Sequence, residues 1–94
     1  MPTQILAPGV GLDTSGEITV VAGAPVNVGL YRADGKNIER TCRGNIYRKD
    51  PDGVFNPTSY ALYPDEPNLI LVGAGVYHVV RVGAFLVPTG IQVD

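Results

Sequence analysis

Leu69-Ile70-Leu71-Val72-Gly73-Ala74-Gly75-Val76-Tyr77-His78-Val79-Val80-Arg81-Val82 places two apolar runs on either side of a glycine-rich corner. Each run is too short for a helix and rich in aliphatic or β-branched residues, so the segment reads as two strands joined by a tight turn. Leu69 to Val72 is apolar on both faces, and both faces then need cover, which predicts that these two strands are central in their sheets.

The rest of the chain is punctuated in the same way. Its 94 residues include 12 Gly and 8 Pro, and the longest stretch free of both runs only from Lys36 to Arg43. Gly costs roughly 1 kcal/mol and Pro roughly 3 kcal/mol inside a helix relative to Ala, which leaves no place for an ordinary helix. Glu17 to Ala22 alternates, with Ile18 and Val20 on one face, and after Gly23-Ala24-Pro25 the alternation resumes at Val26, Val28 and Leu30. A strand follows from Arg43 to Lys49. Asp50-Pro51-Asp52-Gly53 reads as a type I turn leading into an extended segment that reaches Tyr63, with Pro57 confining that segment to an edge or a bulge. The last strand, Val87 to Val93, carries Pro88 and is expected at an edge for the same reason.

About seven strands with turn signals at regular intervals predict an all-β domain, a two-sheet sandwich without substantial helix. Residues 1–16, rich in Gly, Pro, Ser and Thr, read as an extended N-terminal arm with a short strand at Thr3 to Leu6; residues 17–94 read as the sandwich.

Composition narrows the function. Only 17% of residues are charged and the net charge is −2, which disfavours nucleic-acid binding and leaves neutral and apolar groups to cover much of the surface. One Cys and one His cannot build a disulfide or the usual zinc site, and no run is apolar enough for a signal peptide or a membrane span. A reducing cytoplasm as the place of synthesis fits the lone thiol.

Each candidate constellation has a plainer reading. Gly11 to Gly16 has the glycine spacing of a phosphate loop, but Glu17 stands where Lys is required and Ile18 where a hydroxyl is required. Asp50 and Asp52 resemble the opening of a calcium loop, yet Val54 occupies the third ligand position, which favours a hairpin turn. His78 could serve as a general base for Ser15 or Ser59, although packing among Val76, Val80 and Val82 is the simpler expectation. Cys42, beside Arg43, could be an activated thiol or an inert one in a connecting segment. Arg40, Arg43, Arg48 and Lys49 could bind an acidic surface or form a solvated strand face. Tyr47, Phe55, Tyr60 and Tyr63 cluster around the expected hairpin, as a protein contact, a sugar platform or core packing would require. The sequence thus predicts no catalytic, cofactor-binding or metal site.

Tyr77, just after the Gly73-Ala74-Gly75 corner, resembles the tyrosine corner of immunoglobulin-like sandwiches, in which the phenol bonds to backbone upstream. Val79 stands where antibody domains carry their second Cys, so the likeness is to disulfide-free variants. The segments Thr19-Val20-Val21-Ala22-Gly23-Ala24-Pro25-Val26-Asn27-Val28-Gly29-Leu30-Tyr31, Arg48-Lys49-Asp50-Pro51-Asp52-Gly53 and Gly75-Val76-Tyr77-His78-Val79-Val80-Arg81 are similar to parts of small bacteriophage virion proteins of the head-decoration type. That resemblance implies a non-enzymatic structural role on a capsid or other virion lattice, assembled in the host cytoplasm. The arm and an exposed edge strand would make the contact, and a homo-oligomer would cover the second apolar faces. A carbohydrate-binding sandwich is the alternative, and a small hydrolase built on His78 or Cys42 the third reading.

Overall fold

A computed structural model describes residues 3–94. Nine strands form in chain order: β1 (Thr3–Gly9), β2 (Asp13–Thr14), β3 (Ile18–Val20), β4 (Val26–Tyr31), β5 (Arg43–Lys49), β6 (Phe55–Leu62), β7 (Asn68–Leu71), β8 (Gly75–Val82) and β9 (Thr89–Val93). No helix forms among the described residues. The alternation read from the sequence sets the inner faces: Ile18 and Val20, Val28 and Leu30, Ile46, Leu62, Leu71, Tyr77 and Val79, and Ile91 are all buried in one core. Burying each such side chain contributes on the order of 1.5–3 kcal/mol.

One sheet has four strands in the order β1-β9-β4-β7, and the other runs β2-β8-β5-β6 with β3 also pairing with β8. All pairings are antiparallel. The pairs β4–β7 and β5–β8 match the B–E and C–F pairs of an immunoglobulin sandwich, and the Tyr77 hydroxyl donates to Gly73 O at 2.7 Å, closing the expected corner. The final strand differs. In an immunoglobulin domain it lies beside F, whereas β9 here lies beside β4 in the opposite sheet, and β2 and β3 take the place next to β8.

Three sequence expectations are revised by this order. Strand β7 is an edge and not central, with Ile70 60% exposed. Strand β9 is central and not an edge; Pro88 lies just before it, so its missing N–H takes nothing from the ladder. The segment expected as an arm is built into the body. Its β1 pairs with β9 and its β2 with β8, and at the break after β2 Ser15 N–H donates to Val79 O (2.8 Å) while Ser15 Oγ accepts from Val79 N–H (2.9 Å). A buried edge of β8 would otherwise lack main-chain partners there. Strand β6 is an edge, as Pro57 predicts, with a register shift against β5.

The corners follow local chemistry. Asp50 N–H donates to Val54 O (2.8 Å), Gly53 N–H donates to Asp50 O (3.0 Å), and Gly53 adopts φ 86°, which makes a type I turn followed by a left-handed glycine. At the other end of β5, Asp34 Oδ1 accepts from Lys36 N–H (3.1 Å) and the Asp34 carboxylate pairs with Arg32 (2.6 Å), the turn chemistry that Asp34-Gly35 announces.

Candidate functional site

The residues singled out in the sequence go to separate places. His78 projects from the outer face of β8, where Phe55 stacks on it with ring centroids 3.8 Å apart and planes 18° apart, and Tyr47 lies tilted at 5.4 Å. Burial between these rings pushes its pKa below the usual histidine value, against the weaker pull of Glu17, and so favours the neutral ring. Ser15 is buried and stitched to Val79, and Ser59 is exposed on β6. Cys42 is fully buried, and burial raises its thiol pKa, the reverse of what an activated nucleophile needs.

Asp50 turns its carboxylate inward to accept from Val54 N–H (2.9 Å), Asp52 N–H (3.0 Å) and Asn56 Nδ2 (2.9 Å), which assigns it to the hairpin turn. No group of three or more His, Cys, Asp or Glu side chains converges among the described residues. The four aromatic candidates also part company. Tyr47 and Phe55 cover His78, Tyr63 lies under Arg43 with the guanidinium 5.2 Å from the ring centroid, and Tyr60 borders a hollow beside β7. The basic residues are likewise dispersed: Arg48 donates to Ala74 O (2.7 Å), and Lys49 Nζ lies 4.0 Å from Glu17.

What does converge is a pair of loops at one end of the sandwich. The first, residues 10–12, joins β1 to β2; the second, residues 83–88, joins β8 to β9. Gly11 N–H donates to Ala84 O at 2.6 Å, which brings them side by side. Their tips are apolar and exposed: Leu12 is 75%, Phe85 68% and Leu86 84% accessible, with Val10 also exposed. Loops of this length are ordinarily polar, and clustered apolar tips indicate a surface that meets something.

Two buried or capped groups hold the backbone under these tips. Arg81, 3% exposed, points into the core end of β8. Its Nε donates to Gly11 O (3.0 Å), Nη1 to Thr89 O (2.9 Å) and Ala7 O (3.3 Å), and Nη2 to Val10 O (3.3 Å). The nearest carboxylate, Asp13, is 4.0 Å away and solvent-exposed, so carbonyl dipoles carry most of the solvation of this charge. In the sequence Arg81 stands only as one member of a strand. The signal available was a charge on the same alternating face as Tyr77 and Val79.

Glu39 fixes the second loop. Its Oε1 accepts from the N–H groups of Phe85 (3.1 Å), Leu86 (3.0 Å) and Val87 (3.1 Å), and Oε2 lies 3.1 Å from Thr41 Oγ1. The Leu86 N–H above all, then the Val87 N–H, the Thr41 hydroxyl and the Phe85 N–H, hold the Glu39 carboxyl below the usual carboxylate range. Thr41 Oγ1 also lies 2.7 Å from Gly83 O, so the segment 39–41 grips both ends of the loop. Gly83, at φ 74°, lets the loop leave β8 where any Cβ would overlap the Thr41 carbonyl. Ala84, fully buried, plugs the core below.

Compared with known proteins, the chain matches no family model, no curated protein and no solved structure.

Proposed function

We propose that this chain is a non-enzymatic structural protein that docks on a repetitive protein assembly, as a head-decoration or accessory protein docks on a phage capsid. The observation that carries this reading is the apolar end: Leu12, Phe85 and Leu86 project into solvent from loops whose backbones are already tied down by Arg81 and Glu39. A contact surface that is rigid before binding loses little conformational freedom on binding, so each apolar tip contributes more of its burial to affinity. The low charge of the chain supports the same role, and the virion, after assembly in the host cytoplasm, is its proposed location. The dispersal of Tyr47, Phe55, Tyr60 and Tyr63 favours this over a carbohydrate-binding module, which needs stacking rings on one platform.

Mass spectrometry of phage particles purified from the source of this chain should find it among the virion components. Its presence in the lysate but absence from the particles would contradict the reading. In a reconstituted system, Leu12→Asp combined with Leu86→Asp should abolish co-sedimentation with particles and leave the melting temperature unchanged, because both side chains lie outside the core.

A further inference from the structure

We propose that two copies of this chain join edge to edge through β7, antiparallel about a twofold axis at Ile70, independently of the apolar loop end. The argument begins with main-chain direction. Asn27 exchanges both hydrogen bonds with Asp94 (3.2 and 2.8 Å) beside β9, and Leu30 N–H donates to Pro67 O (2.9 Å). Along β4, therefore, Val26, Val28 and Leu30 address β7 while Asn27 addresses β9. In β7, Leu69 and Leu71 return those bonds to β4, and Asn68 and Ile70 turn their N–H and C=O groups away from the molecule.

Every other edge of the two sheets carries a feature that blocks pairing. Strand β1 contains Pro8 and two register shifts; β6 contains Pro57 and a register shift; β2 and β3 are two and three residues long. Strand β7 has none of these. It pairs with β4 without a shift and holds no Pro and no charge; Ile70 within it is 60% exposed, and Val72 just beyond it 66%. A flat, neutral, apolar edge is a template for another strand.

Charge complementarity identifies the occupant and its direction. Asp65 and Glu66 stand just before β7, and Arg48 of β5 reaches the turn just after it by donating to Ala74 O. None of the three has an ion-pair partner among the described residues. With Ile70 opposite Ile70 of the second copy, Glu66 comes opposite Ala74 of that copy and hence beside its Arg48. Antiparallel pairing thus joins acid to base at both ends, whereas parallel pairing sets like charges together. Two four-stranded sheets become one continuous sheet, and Ile70 packs beside Ile70 of the second copy on its outer face.

Sedimentation equilibrium of the full chain across a concentration series tests this. The native protein should reach a dimer, and Ile70→Lys, which sets two ammonium groups face to face, should weaken it by at least about tenfold. Glu66→Arg alone should weaken it as well, and Glu66→Arg with Arg48→Glu in the same chain should restore it. Circular dichroism and melting temperature confirm that each variant is folded. A folded native chain that stays monomeric at every concentration, or a dimer indifferent to Ile70→Lys, or a double reversal no better than Glu66→Arg alone, overturns the proposal.

Discussion

The two ends of the sandwich use the same device with opposite reach. At the hairpin end, the Asp50 carboxylate gathers the N–H groups of Asp52 and Val54 and the amide of Asn56, all within six residues. At the apolar end, the Glu39 carboxylate gathers Phe85, Leu86 and Val87, more than forty residues away. Both carboxyls are held below their ordinary pKa by these donors, led by Val54 for Asp50 and by Leu86 for Glu39. The hairpin end closes on itself with a polar turn. The other end depends on the whole fold being in place, and there the chain exposes its most apolar loop tips. A turn that stabilises itself can stay soluble and passive; a loop whose backbone is held from elsewhere can give its side chains to a partner.

The largest test of that contrast is Arg81→Met, which keeps the volume and removes the charge. The carbonyls of Ala7, Val10, Gly11 and Thr89 lose their donor, and stability measured by urea denaturation should fall by about 3–5 kcal/mol. Amides of β1 should lose protection before those of β5 and β8. A loss below about 1 kcal/mol would show that β1 and the loops stand without Arg81.

Two glycines sharpen the comparison because their backbones are alike and their surroundings are not. Gly83 (φ 74°) and Gly53 (φ 86°) both occupy the left-handed region. At Gly53 the nearest heavy atom to an added Cβ is Lys49 Cε at 3.9 Å, so Gly53→Ala should cost about 1 kcal/mol of conformational strain. At Gly83 the Cβ would overlap the Thr41 carbonyl, and Gly83→Ala should cost about 3 kcal/mol by thermal melts. Equal losses at the two positions would erase the distinction between a self-contained turn and one held by distant chain.

Smaller and more local effects follow from the carboxylates. Glu39→Gln should speed amide exchange at Phe85, Leu86 and Val87 by about tenfold while leaving Asp52 to Val54 unchanged, and Asp50→Asn should do the reverse. Exchange that stays slow at Phe85 to Val87 in Glu39→Gln would assign the rigidity of that loop to Arg81 alone. Acid should act on both ends. Because both folded pKa values are depressed, the stabilisation is complete above the ordinary values of 4.5 for Glu39 and 3.8 for Asp50 and is lost as pH falls through the lowered values. Hydrogen exchange on acidification should therefore show each carboxylate's loop loosening below its own ordinary pKa, with the body of the sandwich still protected.

How much of this could be read beforehand depends on distance along the chain. Strand positions were legible because alternation acts over two residues: β5 runs from Arg43 to Lys49 as expected, and the Asp50 turn and the Tyr77 corner follow from neighbours within four positions. Strand order was not. The apolar run at β7 suggested a central place, yet Ile70 is exposed; Pro88 suggested an edge, yet β9 lies between β1 and β4. The candidate site was almost invisible, since Leu12, Glu39, Arg81 and Leu86 share no local pattern, and the aromatic cluster that the sequence did show is divided by the fold among three places.

Residue identity alone decided that the chain would form short extended segments and where most of them would turn, because proline, glycine and side-chain alternation constrain dihedral angles within a few bonds. Only the packed molecule decided that residues 3–14 would be clamped and not free, that one sheet edge would be left unguarded, and that the apolar loops would be held rigid. Those outcomes come from a buried guanidinium and a carboxylate meeting main-chain groups brought close by the pairing of remote strands, a proximity that no local stretch of sequence encodes.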